Sequence, residues 1–322
     1  MTEVSLKQRV GEEITQFFII RGIETRTKKS DNEPYLVLEL GYQQGRIWAN
    51  IWENTDAFLA EYQAGDVVKI RGVVEQYRDM TQLNIRKIRK SAESDDVHPE
   101  DLLPVYPGDL NKMKKLLPKV IKRISNPHLQ ALCTAILLED EFNTLFCKAP
   151  AGKLWHHGYV GGLLEHTLKI VDLCESIAAH YPQLNPDLLR AGALLHDIGK
   201  VETYTTVPYI EYSDEGRLIG HIVLGYERVR EAIKKSKDFP EEIAKQLLHL
   251  IISHQGELEK ASPVVPMTLE GIILHLADEI DSTVNAFQRI IDEQKTPHKK
   301  WSSYVNLIDR FIYLGGLNKN EK

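Results

Sequence analysis

From Ile14 the chain alternates apolar and polar positions, with Ile14, Gln16, Phe18 and Ile20 on one side and Arg21 and Arg26 beyond. Period two over that length predicts a half-buried strand. The charged run 28–33, closed by Pro34, makes a turn into a second strand, Tyr35–Leu40. After the turn at Gly41–Gly45, a third strand sends Ile47, Ala49 and Ile51 one way and Trp48 and Trp52 the other. Asn54–Tyr62 reads as a short helix that buries Phe58 and Leu59. Val67–Val74 is a fourth strand, and Thr81–Arg89, containing Leu83, Ile85 and Ile88, is a fifth. Three strands, a helix and two strands is the element order of an OB-fold barrel. The polar residues 5–13 before it form a short leader.

The period then changes. Residues 93–101 are acidic and polar and read as a linker, with Pro104 and Pro107 following. Beyond them apolar positions recur at helical spacing over 109–125, 127–139, 160–180, 185–198, 217–235, 240–254, 268–292 and 300–313. Asn126-Pro127, Asn185-Pro186 and Pro263–Pro266 punctuate them, and only Tyr204–Tyr212 hints at a strand. The predicted architecture is multidomain: an N-terminal OB-fold β-barrel over 1–92, a linker over 93–108, and an all-α bundle over 109–322.

Composition changes this picture little. Hydrophobic content of 43% and charged content of 27% are ordinary for a globular protein, and 322 residues suit two domains. A net charge of −6 argues against a globally basic nucleic-acid binder but leaves room for a local basic groove. Cys133, Cys147 and Cys174 show no CxxC spacing, which suits small core residues in a reducing cytoplasm. The start Met1-Thr2-Glu3-Val4 lacks a signal pattern, and no apolar run approaches membrane-spanning length. A cytoplasmic protein without membrane contact is expected.

The candidate chemistry lies in the helical half. His196-Asp197 sits inside an apolar helical segment, between Leu194-Leu195 and Ile198. Burying an imidazole beside a carboxylate costs several kcal/mol unless a partner satisfies both, and a divalent cation does so. His166 interrupts the apolar stripe Leu163, Ile170, Leu173, Ile177. His221, His254 and Asp278 lie at further polar breaks. Each has a plainer reading as a hydrogen-bonded core or surface residue; Asp278, for example, neighbours the acidic Glu279 and Asp281. The recurrence on successive helices favours a shared site, because helices meeting in a bundle can bring such groups together. Histidine with carboxylate suits Mn, Fe, Zn or Mg rather than a thiolate site.

His166, then His196-Asp197, then Asp278 resembles the H…HD…D signature of the HD-domain metal-dependent phosphohydrolases. With the OB-like half, the motifs His156-His157, Gly161–Thr167, His196–Lys200 and Ser253-His254-Gln255-Gly256 make the chain similar to the YhaM-type 3′→5′ exoribonucleases from about Ile14 to about Ala286. That resemblance implies a barrel that grips single-stranded nucleic acid and a helical domain that hydrolyses it. It implies that His166, His196, Asp197 and Asp278 hold one metal, Mn²⁺ by likeness. His221 and His254 would hold a second ion, with Asp197 bridging. Lys200, one helical turn after His196, would neutralise a phosphate oxygen, or else serve as an ordinary cation at a helix C-terminus. The chain departs from the family's pattern at Gln255, where a second histidine is usual, and at Ala261, where glycine is. After His254 it lacks the Gly-Tyr-Pro of the cyclic-dinucleotide relatives, which argues against that activity.

A single-strand groove needs cations for the backbone and aromatic faces for the bases. Tyr35, Trp48 and Trp52 supply faces; Lys69 and Arg71, two apart, project together, and Arg46, Arg78, Arg86 and Lys87 add charge. His157 is a further expected contact to the strand. Acids nearly cancel the barrel's positive charge, and packing against the helix or the second domain is the competing role for the tryptophans. Three readings follow. The first is a metal-dependent exoribonuclease acting on single-stranded RNA, with single-stranded DNA as a second polymer. The second is an HD nucleotidase or small phosphodiesterase whose barrel regulates or oligomerises it. The third is a non-catalytic binding protein, against which the intact His-Asp set counts.

Overall fold

A computed structural model describes residues 6, 9–77, 80–153, 155–294, 299–306 and 308–315. By internal contacts the chain divides into two compact units: Met1–Pro104 with Val207–Tyr209 and Phe287–Lys322, and Val105–Thr206 with Ile210–Ala286.

The first unit is built on the alternation of its strands. β1 (Glu13–Thr27) pairs antiparallel with β2 (Pro34–Tyr42), β2 with β3 (Gly45–Ile51), and β4 (Val67–Tyr77) with both β1 and β5 (Met80–Lys90). A parallel contact of β3 with β5 at Trp48 and Ala49 closes the barrel in the order β1-β2-β3-β5-β4. This is the OB-fold arrangement, with a helix α1 (Thr55–Glu61) between β3 and β4. Phe18, Ile20, Leu36, Leu38, Leu40, Ile47, Ala49, Val68, Ile70, Val74 and Leu83 fill the interior. In α1 only Phe58 is buried, stacked on Tyr62 at 4.5 Å; Leu59, expected inside, is exposed. The adjacent turn of so short a helix faces water.

β5 breaks strict alternation for a physical reason. Gly72 pairs with Ile85 and Arg71 with Lys87, so Arg86 is an extra residue in the ladder. That bulge turns Ile88 to the same side as Leu83 and Ile85. Gly72 makes room for it, since a Cβ there would lie 2.5 Å from the Asn84 carbonyl oxygen.

Residues 93–102, read as a linker, form two short 3₁₀ turns at Glu93–Asp95 and Pro99–Leu102. Asp95 anchors the first by accepting from Arg89 at 2.6 and 2.8 Å and from the Ala92 amide at 2.8 Å. At the other end of the chain the expected helix 300–313 does not form. Trp301 bridges Tyr313 and Val305 bridges Arg310 in antiparallel fashion, and Ile312 and Leu314 bury against Ile290. Trp301, Val305, Ile308 and Ile312 mimic helical spacing, but aromatic and β-branched residues favour the extended form. Arg78 lies outside the described residues.

The second unit is helical: α2 (Leu110–Lys114), α3 (Leu117–Ile121), α4 (Pro127–Leu137), α5 (Asp140–Lys148), α6 (Gly162–Ala178), α7 (Pro186–Leu195), α8 (Lys200–Thr203), α9 (Asp214–Leu218), α10 (His221–Lys235), α11 (Glu241–Ser253) and α12 (Leu269–Gln294, whose last turns belong to the first unit). A two-residue hairpin, β6 (Tyr204–Thr205) with β7 (Glu211–Tyr212), is what the strand-like stretch becomes. Leu163, Ile170, Leu188, Leu194, Leu195, Leu247, Leu250 and Leu274 form the core, and the three cysteines are free and buried in it or at its edge. The expected helix 109–125 is two, because Pro118 opens a new first turn. The expected 217–235 breaks at Gly220, whose φ of 85° separates α9 from α10 and places His221 first in α10. No helix among the described residues is long and apolar enough to cross a membrane.

The bulge gives a test of the barrel. Gly72→Ala should cost roughly 1–3 kcal/mol through backbone overpacking, read as a lower urea midpoint in equilibrium unfolding. An unchanged midpoint would show that the strand shifts freely.

Candidate metal centre

The buried carboxylate of Asp197 is the hub of the helical unit. It stands just past the end of α7, 1% exposed, next to His196 and in reach of Lys200, which is 7% exposed. Its Oδ2 faces Lys200 Nζ at 2.5 Å, His166 Nε2 at 3.3 Å and His196 Nε2 at 3.4 Å. Its Oδ1 faces His221 Nε2 and His254 Nε2, each at 3.5 Å. Asp278, on α12, brings Oδ1 to 3.1 Å from His166 Nε2. All six residues singled out as metal ligands in the sequence therefore converge on one place.

The rings are turned with their Nε2 atoms inward, and the backbone does the turning. His196 Nδ1 is 2.9 Å from the carbonyl oxygen of Ala193, and His254 Nδ1 is 2.7 Å from that of Ile251. Both acceptors are last-turn carbonyls of α7 and α11, which lack intrahelical partners. An N–H donated there leaves Nε2 as a lone pair facing Asp197. His166 Nδ1 is held instead by Asp281 Oδ2 at 2.7 Å.

These spacings suit a cation better than hydrogen bonds. Charge-assisted N–H···O⁻ bonds run about 2.7–2.9 Å, whereas two ligands each about 2.1 Å from one ion stand roughly 3.0–3.4 Å apart. Asp197 Oδ1 and His221 Nε2 are buried with no hydrogen-bond partner. The sets His166/His196/Asp197 and Asp197/His221/His254 each bring their ligand atoms within 4.8 Å of one another. Orphaned buried donors of nitrogen and carboxylate type fit a divalent ion.

Electrostatics agree. Burial works against charge on His166, yet Asp197, Asp278 and Asp281 together lift its pKa well above the usual value. The three carboxylates around His166 set up a negative field that a cation would also feel. Burial opposes charge on His254 too, and Asp197 outweighs it, so its pKa is raised. His221 is held at about 3 and His196 is lowered, in each case first by burial. Burial would raise the Asp197 pKa, but the Lys200 ammonium and the imidazoles hold it well below the carboxylate range.

Beneath these groups lies a layer that the sequence did not single out. Asp281 Oδ2 also takes His157 Nε2 at 2.7 Å, and His157 Nδ1 meets Tyr159 Oη at 2.9 Å and Glu165 Oε2 at 3.0 Å. His157, expected to touch a nucleic-acid strand, is 1% exposed with both ring nitrogens engaged here. Asp281 is buried while Glu279 is exposed, so the acidic run on α12 splits by face. The i, i+3 spacing of Asp278 and Asp281 was the readable signal.

On the barrel, Trp48 and Trp52 are 43% and 51% exposed, and Tyr35 stacks on Trp52 at 4.8 Å. Neither tryptophan is packed away. The cations are less free. Lys69 lies over the Phe17 ring and 3.7 Å from Asp95, Arg71 bonds Glu13 at 2.9 Å, and Arg46 bonds Glu39 at 2.7 Å.

Known proteins resemble this chain in sequence. The HD domain family matches residues 163–283. The chain is 34% identical over 295 residues to the 3′-5′ exoribonuclease YhaM of Bacillus subtilis (strain 168), covering 92% of this chain and 93% of that protein. It is 34% identical over 313 residues to the protein of that name from Shouchella clausii, covering 97% of this chain and 96% of the relative. The YhaM of Listeria monocytogenes is 32% identical over 89% of this chain and 90% of its own length.

A cation that binds the folded site alone stabilises the fold by RT ln(1 + [M]/Kd), about 2.7 kcal/mol at a hundredfold excess over Kd. Adding Mn²⁺ to chelator-treated protein should therefore raise the melting temperature. Asp197→Ala should melt lower than the parent without metal, because Lys200 loses its buried partner, and should show little further rise with Mn²⁺. A full metal-dependent rise in the variant would sink the assignment.

Proposed function

The chain belongs to the family of the YhaM 3′-5′ exoribonucleases, and from that membership we propose how its own residues divide the work. It is a metal-dependent hydrolase with an HD domain. His166, His196, Asp197 and Asp278 hold one divalent ion; His221 and His254 hold a second, with Asp197 shared. Mn²⁺ is the proposed metal. Bound cations supply Lewis acidity toward the phosphoryl oxygens and a hydroxide at neutral pH. The observation that carries this assignment is the turning of the His166, His196, His221 and His254 Nε2 atoms toward Asp197.

The protein's groups do the rest. The His196 and His254 rings are held in orientation by backbone carbonyls, with their Nε2 atoms toward Asp197. Lys200 gives one N–H to Asp197 and keeps two for a phosphate oxygen of the substrate. Attack of hydroxide on phosphorus with departure of the 3′-oxygen leaves the phosphate on the released nucleotide. The products are nucleoside 5′-monophosphates and a chain shorter by one, ending in a 3′-hydroxyl.

The proposed substrate is single-stranded RNA, with single-stranded DNA as a second polymer. Exposed Trp48 and the Trp52–Tyr35 stack offer π-faces to unpaired bases, which a duplex keeps inside its own stack. The paired state of Lys69 and Arg71 makes phosphate contact depend on exchanging Asp95 and Glu13 for the strand. Reduced, buried cysteines suit the cytoplasm as the site of action.

An RNA labelled at its 5′ end and sampled over time with Mn²⁺ should shorten as a gradual ladder. Immediate release of label as a mononucleotide would show the opposite polarity, and cleavage of free nucleotides alone would restore the nucleotidase reading. Asp197→Ala should leave the RNA intact.

Trp48→Ala and Trp52→Ala should each raise the KM for long RNA about 5- to 150-fold, since one stacked base contributes about 1–3 kcal/mol. Turnover of bis(p-nitrophenyl) phosphate should not change. Equal losses on both substrates would mean that the tryptophans serve the fold instead.

A further inference from the structure

In the connection from α5 to α6, the described residues 155–161 are held by their own backbone. His157 takes a left-handed φ of 44°, uncommon for a residue with a side chain. Its amide donates to Asn285 Oδ1 at 2.9 Å, and its carbonyl accepts from the amides of Ala151 and Tyr159. Gly162 has to be glycine, because a Cβ there would lie 2.0 Å from that same carbonyl oxygen. With the His157 ring also tied to Asp281, Tyr159 and Glu165, the backbone next to the preceding residue is held in place. Strain held by this many contacts marks a position that the fold enforces.

That residue is His156. Its ring centroid lies 5.3 Å from that of His166, and its electrostatic neighbours are Lys200, His166, Asp278 and Asp197. Both of its ring nitrogens are shut off from solvent, and neither has a hydrogen-bond partner. A buried imidazole without partners is costly, so its persistence needs a reason. Yet it stands apart from the ligand sets: among the described residues, no cluster of mutually close ligand atoms includes His156. The ring is therefore beside the metal ligands without being grouped with them.

We propose that His156 is a substrate contact, whose ring N–H donates to a non-bridging oxygen of the scissile phosphate. This rests on the phosphodiester-hydrolysis reading above and deepens it. Either protonation state of the ring has at least one N–H to give. A fixed donor shielded from water binds most strongly where charge grows during attack, which here is the phosphoryl oxygen. His156 and Lys200 then form two donors of different kinds for one phosphate, a directional imidazole N–H and a point charge. The paired histidines split their work: His157 braces Asp281 and through it His166, while His156 meets the substrate.

The test compares the intact chain with His156→Ala and His156→Gln. Bound Mn²⁺, melting temperature, and the kcat and KM for a 5′-labelled single-stranded RNA are measured on each. The expected result is unchanged Mn²⁺ content and melting, kcat lower by roughly 10²–10³-fold in His156→Ala, and a KM nearly as in the parent. His156→Gln, whose amide still donates, should recover part of the loss. Loss of Mn²⁺ in step with turnover would overturn the proposal by making His156 a ligand. Unchanged turnover would overturn it too, as would equal losses in both variants with lowered melting, the mark of a packing role. The same three proteins are run on bis(p-nitrophenyl) phosphate. An intact chain that cleaves this ester but not RNA sinks the exoribonuclease reading, while the His156 comparison is still decided on the ester.

Discussion

One buried carboxylate sets the terms for the helical unit. Asp197 has 1% of its surface exposed, and the Lys200 side chain lies against it at 2.5 Å. Asp278 and Asp281 add negative charge within reach of His166. Lys169 comes only to 3.9 Å of Asp281 and pairs more closely with Glu165, so the ammonium groups do not balance the acids, and burial of unbalanced charge is expensive. The imidazoles around Asp197 are the remaining source of compensation, either as imidazolium or as ligands to a cation. The helices are arranged to provide them: α7 and α11 end, and α10 begins, at the histidine that each contributes.

Helix ends are well suited to this task. The last carbonyls of a helix have no intrahelical donor, and a histidine just beyond the end can reach back three residues to one of them. His196 does so to Ala193 and His254 to Ile251. One contact satisfies an orphan carbonyl and aims the other ring nitrogen at Asp197. His166 sits in mid-helix, where carbonyls are already used, and so needs a side-chain brace; Asp281 supplies it. The difference in bracing follows from position along the helix rather than from chemistry.

The same distinction explains what could be read from the sequence. His166, His196, Asp197, His221, His254 and Asp278 were visible because each interrupts an apolar pattern with metal-binding chemistry. The barrel was visible because alternation over five strands leaves few other solutions. Asp281, Tyr159 and Glu165 were hidden because their role depends on contacts such as His157 to Asp281, 124 positions apart. Helix α5 was missed because Glu139, which looks like the end of α4, is the cap of the next helix and accepts from the Glu141 and Phe142 amides. His157 was misplaced because an exposed contact and a buried brace look alike in one dimension. The bulge at Gly72 was hidden as well, since a glycine in a strand does not say which carbonyl approaches it.

His166 links the metal to the proton. Its Nδ1 is held by Asp281, so any change in charge state falls on Nε2, which faces Asp197 and Asp278. Those carboxylates outweigh the penalty of burial and raise its pKa well above the usual value. A cation held by His166 would compete with a proton for that nitrogen, so its affinity would fall as pH falls. The negative field that favours a proton on His166 is the field that would favour a cation in its place.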